Sequence, residues 1–382
     1  MENNKGRKIK FLHCSDIHLD APYVGIPLDK ADERRREGRA TFLRLMELAR
    51  DREIDYILIS GDLFDSRFAT NMTAELLIRE FKNTPNAKII IAPGKHDAYE
   101  NSPIYTSGRL PENCYVFTND ALSRFDFGDD RLTVYGWAFK NEEMTVSPIA
   151  ENRVDDASKI NIVMGYADLD GSVDSTSCPV ASSDLGRFGA DYYAFGGRHA
   201  KTEFIKKDGA MYGYSGSLEC TGFDEPYMGG AKILTIDYND GELSIDAKHV
   251  SFGRIRFVTE AIDITGVNGN NEITNRISQL ISNKRYGVDT ALRIELIGSV
   301  DPRFIVPAHV ESDAFGLYHF EVIDKTLPLF GTEHFKRDMT VSGEVYRRLL
   351  PLLESEREED RLLAARAFRV ALAALENREI DL

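Results

Sequence analysis

Residues 8–18 read KIKFLHCSDIH, a short apolar run that ends in Asp16 and His18. The pattern predicts a buried strand followed by two side chains able to hold a metal ion. Four later runs end in similar polar clusters, at residues 56–60 (YILIS), 88–93 (KIIIAP), 160–164 (INIVM) and 192–195 (YYAF). Because ligands of an open α/β sheet bind outside the carboxyl ends of its strands, we expect the five ends to meet at one crevice.

The residues that follow these runs suit divalent-metal phosphoester chemistry. Asp62 adds a carboxylate with two oxygens to share between ions, and His199 adds a second imidazole. His96 offers an imidazole for proton delivery, and Asp97 beside it is expected to orient that ring as a general acid requires. Asp65 is assigned a structural role as a loop cap. One D-x-H pair is weak evidence, but the ordered series D-x-H, G-D-x-x-D, G-x-H-D and G-x-x-H strongly indicates one site.

Length and composition exclude several classes of protein. A chain of 382 residues with 42% apolar and 29% charged residues is typical of a globular protein of two or more domains. A net charge of −15 disfavours a broad basic face for nucleic acid but leaves a local basic groove open. The four cysteines form no C-x-x-C pair, which argues against a zinc knuckle or redox motif. Residues 1–11 lack a signal-peptide core, so we expect a cytoplasmic location and no membrane contact.

The alternation of strands and helices predicts an α/β fold. We expect strands at 9–14, 56–60 and 87–92, with helices at 30–51 and 70–83 between them. Turn residues at 207–209 (KDG) and 239–241 (NDG) are hairpin signals and predict a second, antiparallel sheet after the parallel one. The fold class is therefore α/β, a two-layered β-sandwich flanked by helices.

The rest of the chain predicts two further parts after a main domain of residues 1–252. Residues 253–330 show a β-α-β-α-β order, with helices near 271–284 and 301–308, and indicate a small α+β domain. Residues 331–382 indicate a tail of two helices with charged and apolar faces. Pro351 should kink the first helix or mark its start.

The motifs HCSDIHLDAP, ISGDLFD, APGKHD, YYAFGGRHA and YSGSLE resemble those of the calcineurin-like metallophosphoesterases. Within that superfamily the chain is most similar to the SbcD-type DNA repair exonucleases, in the YhaO-like branch, from residue 8 to about 330. The resemblance implies a metallophosphoesterase domain, with residues 253–330 as a capping domain. It also implies that the tail docks an SbcC-like coiled-coil ATPase and that DNA is a partner. The possibility of a homodimer stays open.

The resemblance further implies two metal ions, of which this chain keeps the ligands of one. The ligands of the first ion map onto Asp16, His18, Asp62 and His199, and all four are present. Those of the second map onto Asp62, Lys95, Tyr166 and Gly197, where only Asp62 can ligate. We interpret Lys95 as an ammonium that neutralises Asp62 and repels a second cation. Tyr166 either donates to a phosphate oxygen or fills the space of a lost ligand. Manganese is the expected ion, with iron and zinc open.

The leading functional prediction is a metal-dependent phosphodiesterase or DNA exonuclease subunit with one metal site. Two alternatives stay open: a catalytically impaired scaffold that binds DNA or the ATPase, and a hydrolase of small phosphoesters or nucleotides. Arg198 and Arg35 are candidate contacts for phosphate or DNA. Alternatively, Arg198 pairs with Asp62 or Asp65, and Arg35 belongs to a solvated helix end.

Overall fold

The structure is a computed structural model that describes residues 8–23, 28–172, 174–207, 210–225, 228–239, 242–267, 269–301, 304, 315–328 and 332–375. The chain forms two compact units, one of Met1–Thr221 with Tyr227–Arg254 and one of Gly222–Pro226 with Ile255–Leu382. The described residues include only 301 and 304 of the helix expected near 301–308. They include only 207 and 239 of the two hairpin turns. Among the described helices, none has the length and apolar character needed to cross a bilayer.

The first unit is built mainly from strands. They are β1 (Ile9–Cys14), β2 (Tyr56–Ile59), β3 (Lys88–Ile91), β4 (Cys114–Val116), β5 (Ser123–Phe127), β6 (Leu132–Gly136), β7 (Ile160–Tyr166), β8 (Asp168–Leu169), β9 (Pro179–Val180), β10 (Tyr192–Gly196), β11 (Ile205–Lys207), β12 (Ala210–Tyr214), β13 (Gly230–Asn239) and β14 (Glu242–Ser251). Its helices are α1 (Leu28–Asp51), α2 (Asn71–Lys82), α3 (Pro103–Thr106) and α4 (Ser182–Phe188), with 3-10 turns at Tyr99–Asn101 and Gly128–Asp130.

The larger strands of this unit form two six-stranded sheets. The first has the order β14-β13-β1-β2-β3-β4, and β1 to β4 are parallel. The second has the order β11-β12-β10-β7-β6-β5, in which β12, β10, β7 and β6 are parallel. The prediction of a separate antiparallel sheet was wrong. Both hairpins form, but β13 pairs antiparallel with β1 and joins the first sheet, and β12 pairs parallel with β10 in the second.

Alternation of side chains along the strands gives each sheet two buried faces. In β2, Leu58 belongs to a core that also contains Ile162 of β7 and Ala194 of β10, so this core lies between the two sheets. Ile57, which points the other way, packs in a core with Phe42 of α1. The first unit is therefore a two-layered sandwich flanked by helices, as the sequence predicted.

The second unit is a small α+β arrangement. Its elements are β15 (Arg256–Asp263), α5 (Asn270–Lys284), β16 (Thr290–Ile297), β17 (Ser299–Val300), β18 (His319–Asp324), β19 (Leu327–Pro328), α6 (Thr332–Arg337), α7 (Val341–Leu353) and α8 (Glu358–Leu375). Strands β15, β16 and β18 are parallel, and Ile277 of α5 packs with Leu292 and Ile294 of β16. A separate aromatic core that includes Tyr346 and Phe368 joins α6, α7 and α8. Pro351 lies inside α7, near its end.

Candidate metal centre

The loops that follow β1, β2, β3 and β10 meet at one end of the two sheets. Hydrogen bonds between backbone groups connect the first two loops: the N–H of Asp16 donates to the carbonyl of Gly61 at 3.1 Å, and that of Ile17 donates to the carbonyl of Asp62 at 2.8 Å. The crevice that the sequence predicted is thus built from neighbouring strands of the first sheet and from β10 of the second.

Ligand atoms of three side chains, Asp16, His18 and His199, lie within 4.8 Å of one another, and Asp62 lies beside His18. The Nε2 atom of His18 lies 3.2 Å from Nε2 of His199 and 3.7 Å from Oδ2 of Asp62. Oδ1 of Asp16 lies 3.9 Å from Nε2 of His199. Donor atoms separated in this way suit a common cation at ligand distances of about 2.0–2.2 Å.

The carboxylate of Asp62 gives independent support for a cation. Oδ1 accepts a hydrogen bond from the N–H of His96 at 2.8 Å, whereas Oδ2 is buried and has no hydrogen-bond partner within the described part of the chain. A buried carboxylate oxygen without a partner is costly unless a cation compensates it. The residues present therefore fit a divalent metal ion bound by Asp16, His18 and His199, and the unpartnered oxygen of Asp62 beside His18 suits a fourth ligand.

Three of these residues have a strained backbone. The φ angles of Asp16, His18 and Asp62 are 49°, 48° and 53°, in the left-handed region that residues other than glycine rarely adopt. Each such residue costs about 1–2 kcal/mol. Strain of this kind persists where the surrounding structure enforces it, and it is concentrated here on the residues that present the donor atoms.

Asp65, rather than Asp97, contacts the ring of His96. Oδ1 of Asp65 lies 3.0 Å from Nδ1 of His96 and 3.5 Å from Nδ1 of His18, so one carboxylate orients both imidazoles. The side chain of His96 is 54% exposed, which leaves its Nε2 edge available to a substrate. The structural role assigned to Asp65 from sequence missed this function. The signal that could have revealed it was the fixed spacing from Asp62 within G-D-x-x-D.

The expectation that Asp97 orients His96 was wrong. Its carboxylate is buried and accepts hydrogen bonds from the N–H groups of Gly94 at 2.6 Å, Leu63 at 2.9 Å and Asp62 at 3.1 Å. It also accepts one from the hydroxyl of Tyr105 at 2.6 Å. The side chain of Asp97 thus points into the protein and holds the loops after β2 and β3 together.

The electrostatics of the cluster favour a bound cation. Burial opposes the charged form of His18, but Asp65, Asp62 and Asp16 outweigh it and raise the pKa of His18 to about 9. Burial raises the pKa of Asp62 to about 7, although His18 opposes this shift. The hydrogen bond that the His96 ring donates to the Asp65 carboxylate raises the pKa of His96. Burial is thus the main cause of the Asp62 shift, whereas neighbouring carboxylates raise the pKa values of the two imidazoles.

The ring of Tyr166 fills the space beside these donors. A Cβ atom built on Gly61 would lie 2.9 Å from the Tyr166 ring, one on Gly94 would lie 2.8 Å from it, and one on Gly197 would lie 2.7 Å from it. Three glycines at three strand ends therefore leave room for one aromatic side chain, which is 8% exposed. The opposite edge of this pocket contains Phe139, whose ring centre is 5.2 Å from that of Tyr166.

Lys95 does not neutralise Asp62 directly, in contrast to the interpretation of the sequence. Its Nζ atom lies 3.4 Å from Oγ1 of Thr176. No carboxylate of the described residues lies within the 4.0 Å ion-pair distance of that ammonium. The loop after β3 directs the side chain toward the segment before β9, so Tyr166 rather than Lys95 fills the space beside Asp62.

The two candidate phosphate contacts differ in how they are held. Arg198 is exposed, and its guanidinium carbon lies 5.6 Å from the ring centre of Tyr214. It forms no ion pair with Asp62 or Asp65, so that alternative was wrong. Arg35 pairs with Asp32 and approaches the carbonyl of Ala21 at 3.4 Å. Of the two, Arg198 has the freer guanidinium.

Comparisons with known proteins show which family this chain resembles in sequence. The sequence model of the calcineurin-like phosphoesterases matches residues 9–201. The chain is 24% identical over 310 residues to the uncharacterized metallophosphoesterase YhaO of Bacillus subtilis, covering 78% of this chain and 74% of that protein. It is 26% identical over 234 residues to the DNA double-strand break repair protein Mre11 of Methanopyrus kandleri, covering 55% and 49%.

A solved dimetal phosphatase from Danio rerio aligns with 64% of this chain and 99% of its own, at 9% identity and a TM-score of 0.40. The family match extends from β1 to just beyond His199 and so includes every donor residue described above. The chain belongs to the calcineurin-like phosphoesterase family.

Proposed function

We propose that this chain is a metal-dependent phosphodiesterase of the SbcD nuclease type whose site holds one divalent cation. The observation that carries the proposal is the convergence of Asp16, His18 and His199, with Asp62 3.7 Å from His18, beside an exposed His96. Two carboxylates and two imidazoles suit manganese, with iron or zinc as the alternatives.

Each residue of the site has a definite role in this proposal. A cation held by the four donors would act as a Lewis acid on a phosphate oxygen. His96 delivers a proton to the leaving oxygen from Nε2, while Asp65 holds the ring at Nδ1, 3.0 Å away. Arg198, exposed beside His199, contacts a neighbouring phosphate of the substrate.

The packing of Tyr166 supports one cation rather than two. Its ring lies against Gly61, Gly94 and Gly197, in the space where a second set of ligands would have to approach Asp62. A phenol that is neutral at ordinary pH cannot replace the charge of an ion, and burial, with help from Asp62 and Asp16, raises the pKa of Tyr166 further. Two-metal sites stabilise both the attacking and the leaving oxygen, so we expect this site to hydrolyse diesters slowly.

Metal content and diester hydrolysis test the proposal together. We expect about one manganese ion per chain and manganese-dependent hydrolysis of bis(p-nitrophenyl) phosphate, with His96→Ala lowering kcat about 10²-fold. His319→Ala is the matched control, because that histidine is 43% exposed and lies in the second unit. Equal rates for the wild type and His96→Ala would favour the scaffold alternative.

The substrate class is tested with the same protein. We propose that DNA is the natural diester, so linear duplex DNA should be degraded in manganese. Hydrolysis confined to p-nitrophenyl phosphate or free nucleotides would favour the small-phosphoester alternative. Weakened DNA binding by Arg198→Ala, with unchanged hydrolysis of the small diester, would assign that residue to DNA.

We further propose that the segment from α6 to α8 docks a coiled-coil ATPase of the SbcC type. The aromatic core of these helices leaves apolar side chains exposed, including Val341 at 62% and Leu363 at 67%. Leu363→Asp should abolish co-elution with that ATPase, and light scattering of the isolated chain tests whether it is a homodimer. A cytoplasmic location is proposed as well, since all four cysteines are free thiols, and cell fractionation would test it.

A further inference from the structure

Two buried serines connect the loop after β12 with the carboxylate of Asp16. Ser15 and Ser215 are both fully buried. The hydroxyl of Ser15 donates to Oδ2 of Asp16 at 2.5 Å, and the Oγ atoms of the two serines are 2.7 Å apart. Because Ser15 gives its one hydrogen to Asp16, Ser215 must be the donor to Ser15. The 3.2 Å contact from Ser215 to the carbonyl of Gly216 is the longer alternative for that hydrogen.

This chain of hydrogen bonds distinguishes the two oxygens of Asp16. Oδ2 accepts the hydroxyl of Ser15, and the N–H of Gly197 lies 3.1 Å from both oxygens. Oδ1 receives no hydroxyl and is the oxygen that faces Nε2 of His199, 3.9 Å away. Both oxygens thus share the N–H of Gly197, but only Oδ2 is also held by a hydroxyl, which leaves Oδ1 the freer of the two to bind a cation.

The same loop also holds His199. We call residues 214–217 the serine loop. The N–H of Ser217 donates to the carbonyl of His199 at 2.9 Å. Gly216 has a φ of 77°, and a Cβ there would lie only 2.9 Å from the same carbonyl, so glycine permits the close approach. One loop therefore contacts Ser15, which holds Asp16 in the segment after β1, and His199 in the segment after β10.

We propose that Ser215 is a positioning residue of the metal site. Through Ser15 it fixes the Asp16 carboxylate so that Oδ1 faces the cation, and the serine loop keeps His199 opposite that oxygen. The inference rests on the proposed function, because it requires Asp16 and His199 to bind a cation. Groups that orient metal ligands in this way change metal affinity about 10–100-fold when they are removed.

Calorimetric titration of the metal-free, full-length protein with manganese tests the proposal. Ser15→Ala and Ser215→Ala should each weaken binding about 10–100-fold. Because Ser215 acts through Ser15, the double variant should bind no more weakly than Ser15→Ala alone. Ser102→Ala is the control, since Ser102 is equally buried and its hydroxyl contacts the carbonyl of Ala98 at 2.8 Å and the hydroxyl of Ser66, neither of which belongs to a proposed metal ligand.

The absorption spectrum of the cobalt-substituted protein gives a readout that does not depend on activity. The ligand-field bands should change in Ser215→Ala and stay unchanged in Ser102→Ala. Should Ser215→Ala fail to fold, Ser215→Cys keeps nearly the same shape with a weak donor and should also weaken manganese binding.

Two results would overturn the inference. One is a manganese Kd for Ser215→Ala within about twofold of wild type, well below the change expected for a positioning group. The other is a double variant whose loss equals the combined loss of the two single variants. A wild-type protein that binds no manganese would instead defeat the proposed function itself, so the two failures are distinguishable.

Discussion

Gly197 faces the ring of Tyr166 so closely that a Cβ atom at position 197 would lie 2.7 Å from Cε1 of that ring. Real Cβ atoms do not approach other atoms this closely, so the Tyr166 ring in this position requires a glycine at 197. Tyr166 and Gly197 are two of the positions onto which the ligands of a second ion map by the family resemblance. The packing of the Tyr166 ring and the residue type at position 197 are thus coupled.

The first prediction concerns the strength of that coupling. Gly197→Ala should lower the free energy of unfolding through overlap with Tyr166 and through a φ of 93°. Gly108→Ala is the control, because Gly108 has a φ of 68° and a Cβ at that position would meet open space. The difference between the two losses in free energy of unfolding isolates the overlap with Tyr166, for which we expect about 1–3 kcal/mol. Urea unfolding measures both, and equal destabilisation would contradict the role given to Tyr166.

The second prediction separates the contributions of Tyr166 and Lys95 to metal content. Lys95→Asn alone should keep about one manganese ion per chain, because the ring still fills the space; Tyr166→Phe should do the same. The triple variant Lys95→Asn, Tyr166→His, Gly197→His supplies the missing ligands and should bind a second ion and hydrolyse diesters faster. The φ of 93° at Gly197 strains a histidine at that position. We therefore expect the increase in bound manganese to exceed the increase in the rate of diester hydrolysis.

Elemental analysis and the diester assay measure these outcomes side by side. A second manganese ion in Lys95→Asn alone would show that the lysine, not the ring, excludes it. A triple variant with neither more manganese nor a higher rate would contradict the proposal of a displaced second site.

The third prediction distinguishes the two aspartates near His96. Asp65→Asn should lower kcat about 10²-fold, because it removes the carboxylate that holds the exposed ring of His96. Asp97→Asn should instead lower the free energy of unfolding by about 2–4 kcal/mol, since an amide cannot accept the hydrogen bonds from Gly94, Leu63 and Tyr105 as a carboxylate does. Thermal unfolding and the diester rate, measured on both variants, would expose a reversal of these roles.

The order of strands and helices around the site could be predicted because it depends on local patterns. Apolar runs of four to six residues ended where β1, β2 and β3 end, and the helices between them followed the spacing of apolar residues. The sheet that β13 joins could not be predicted. A turn signal fixes the pairing of two neighbouring strands but carries no information about the distant strand, here β1, that one of them joins.

The side-chain partners at the site were harder to predict than the strand ends. Asp97 is adjacent to His96 in sequence, but consecutive side chains on an extended loop point in different directions, and Asp97 points inward. Asp65 is far from His96 in sequence and next to it in space. Lys95 has the charge that the sequence argument required, but its long side chain leads away from Asp62 toward Thr176.

The last prediction concerns acid stability and His13, a fully buried histidine of β1. Its Nδ1 lies 2.9 Å from the hydroxyl of Tyr192, and its Nε2 lies 3.2 Å from the carbonyl of Phe195. Burial, with help from Lys232, lowers the pKa of His13 from 6.5 to about 3. Below pH 6.5 the unfolded chain therefore binds a proton on His13, whereas the folded chain binds that proton only near pH 3. Stability from this group is complete above pH 6.5 and is lost as the pH falls through that window.

Urea unfolding at several pH values from 7 down to 5 should show this loss, with a slope of up to about 1.4 kcal/mol per pH unit from His13. His13→Gln keeps hydrogen-bonding groups but does not titrate. The free energy of unfolding of this variant should therefore fall less steeply with decreasing pH, by the contribution of about one bound proton. Carboxylates contribute equally to both proteins and cancel in the comparison. Identical slopes would mean that the folded protein accepts a proton on His13 as readily as the unfolded chain does.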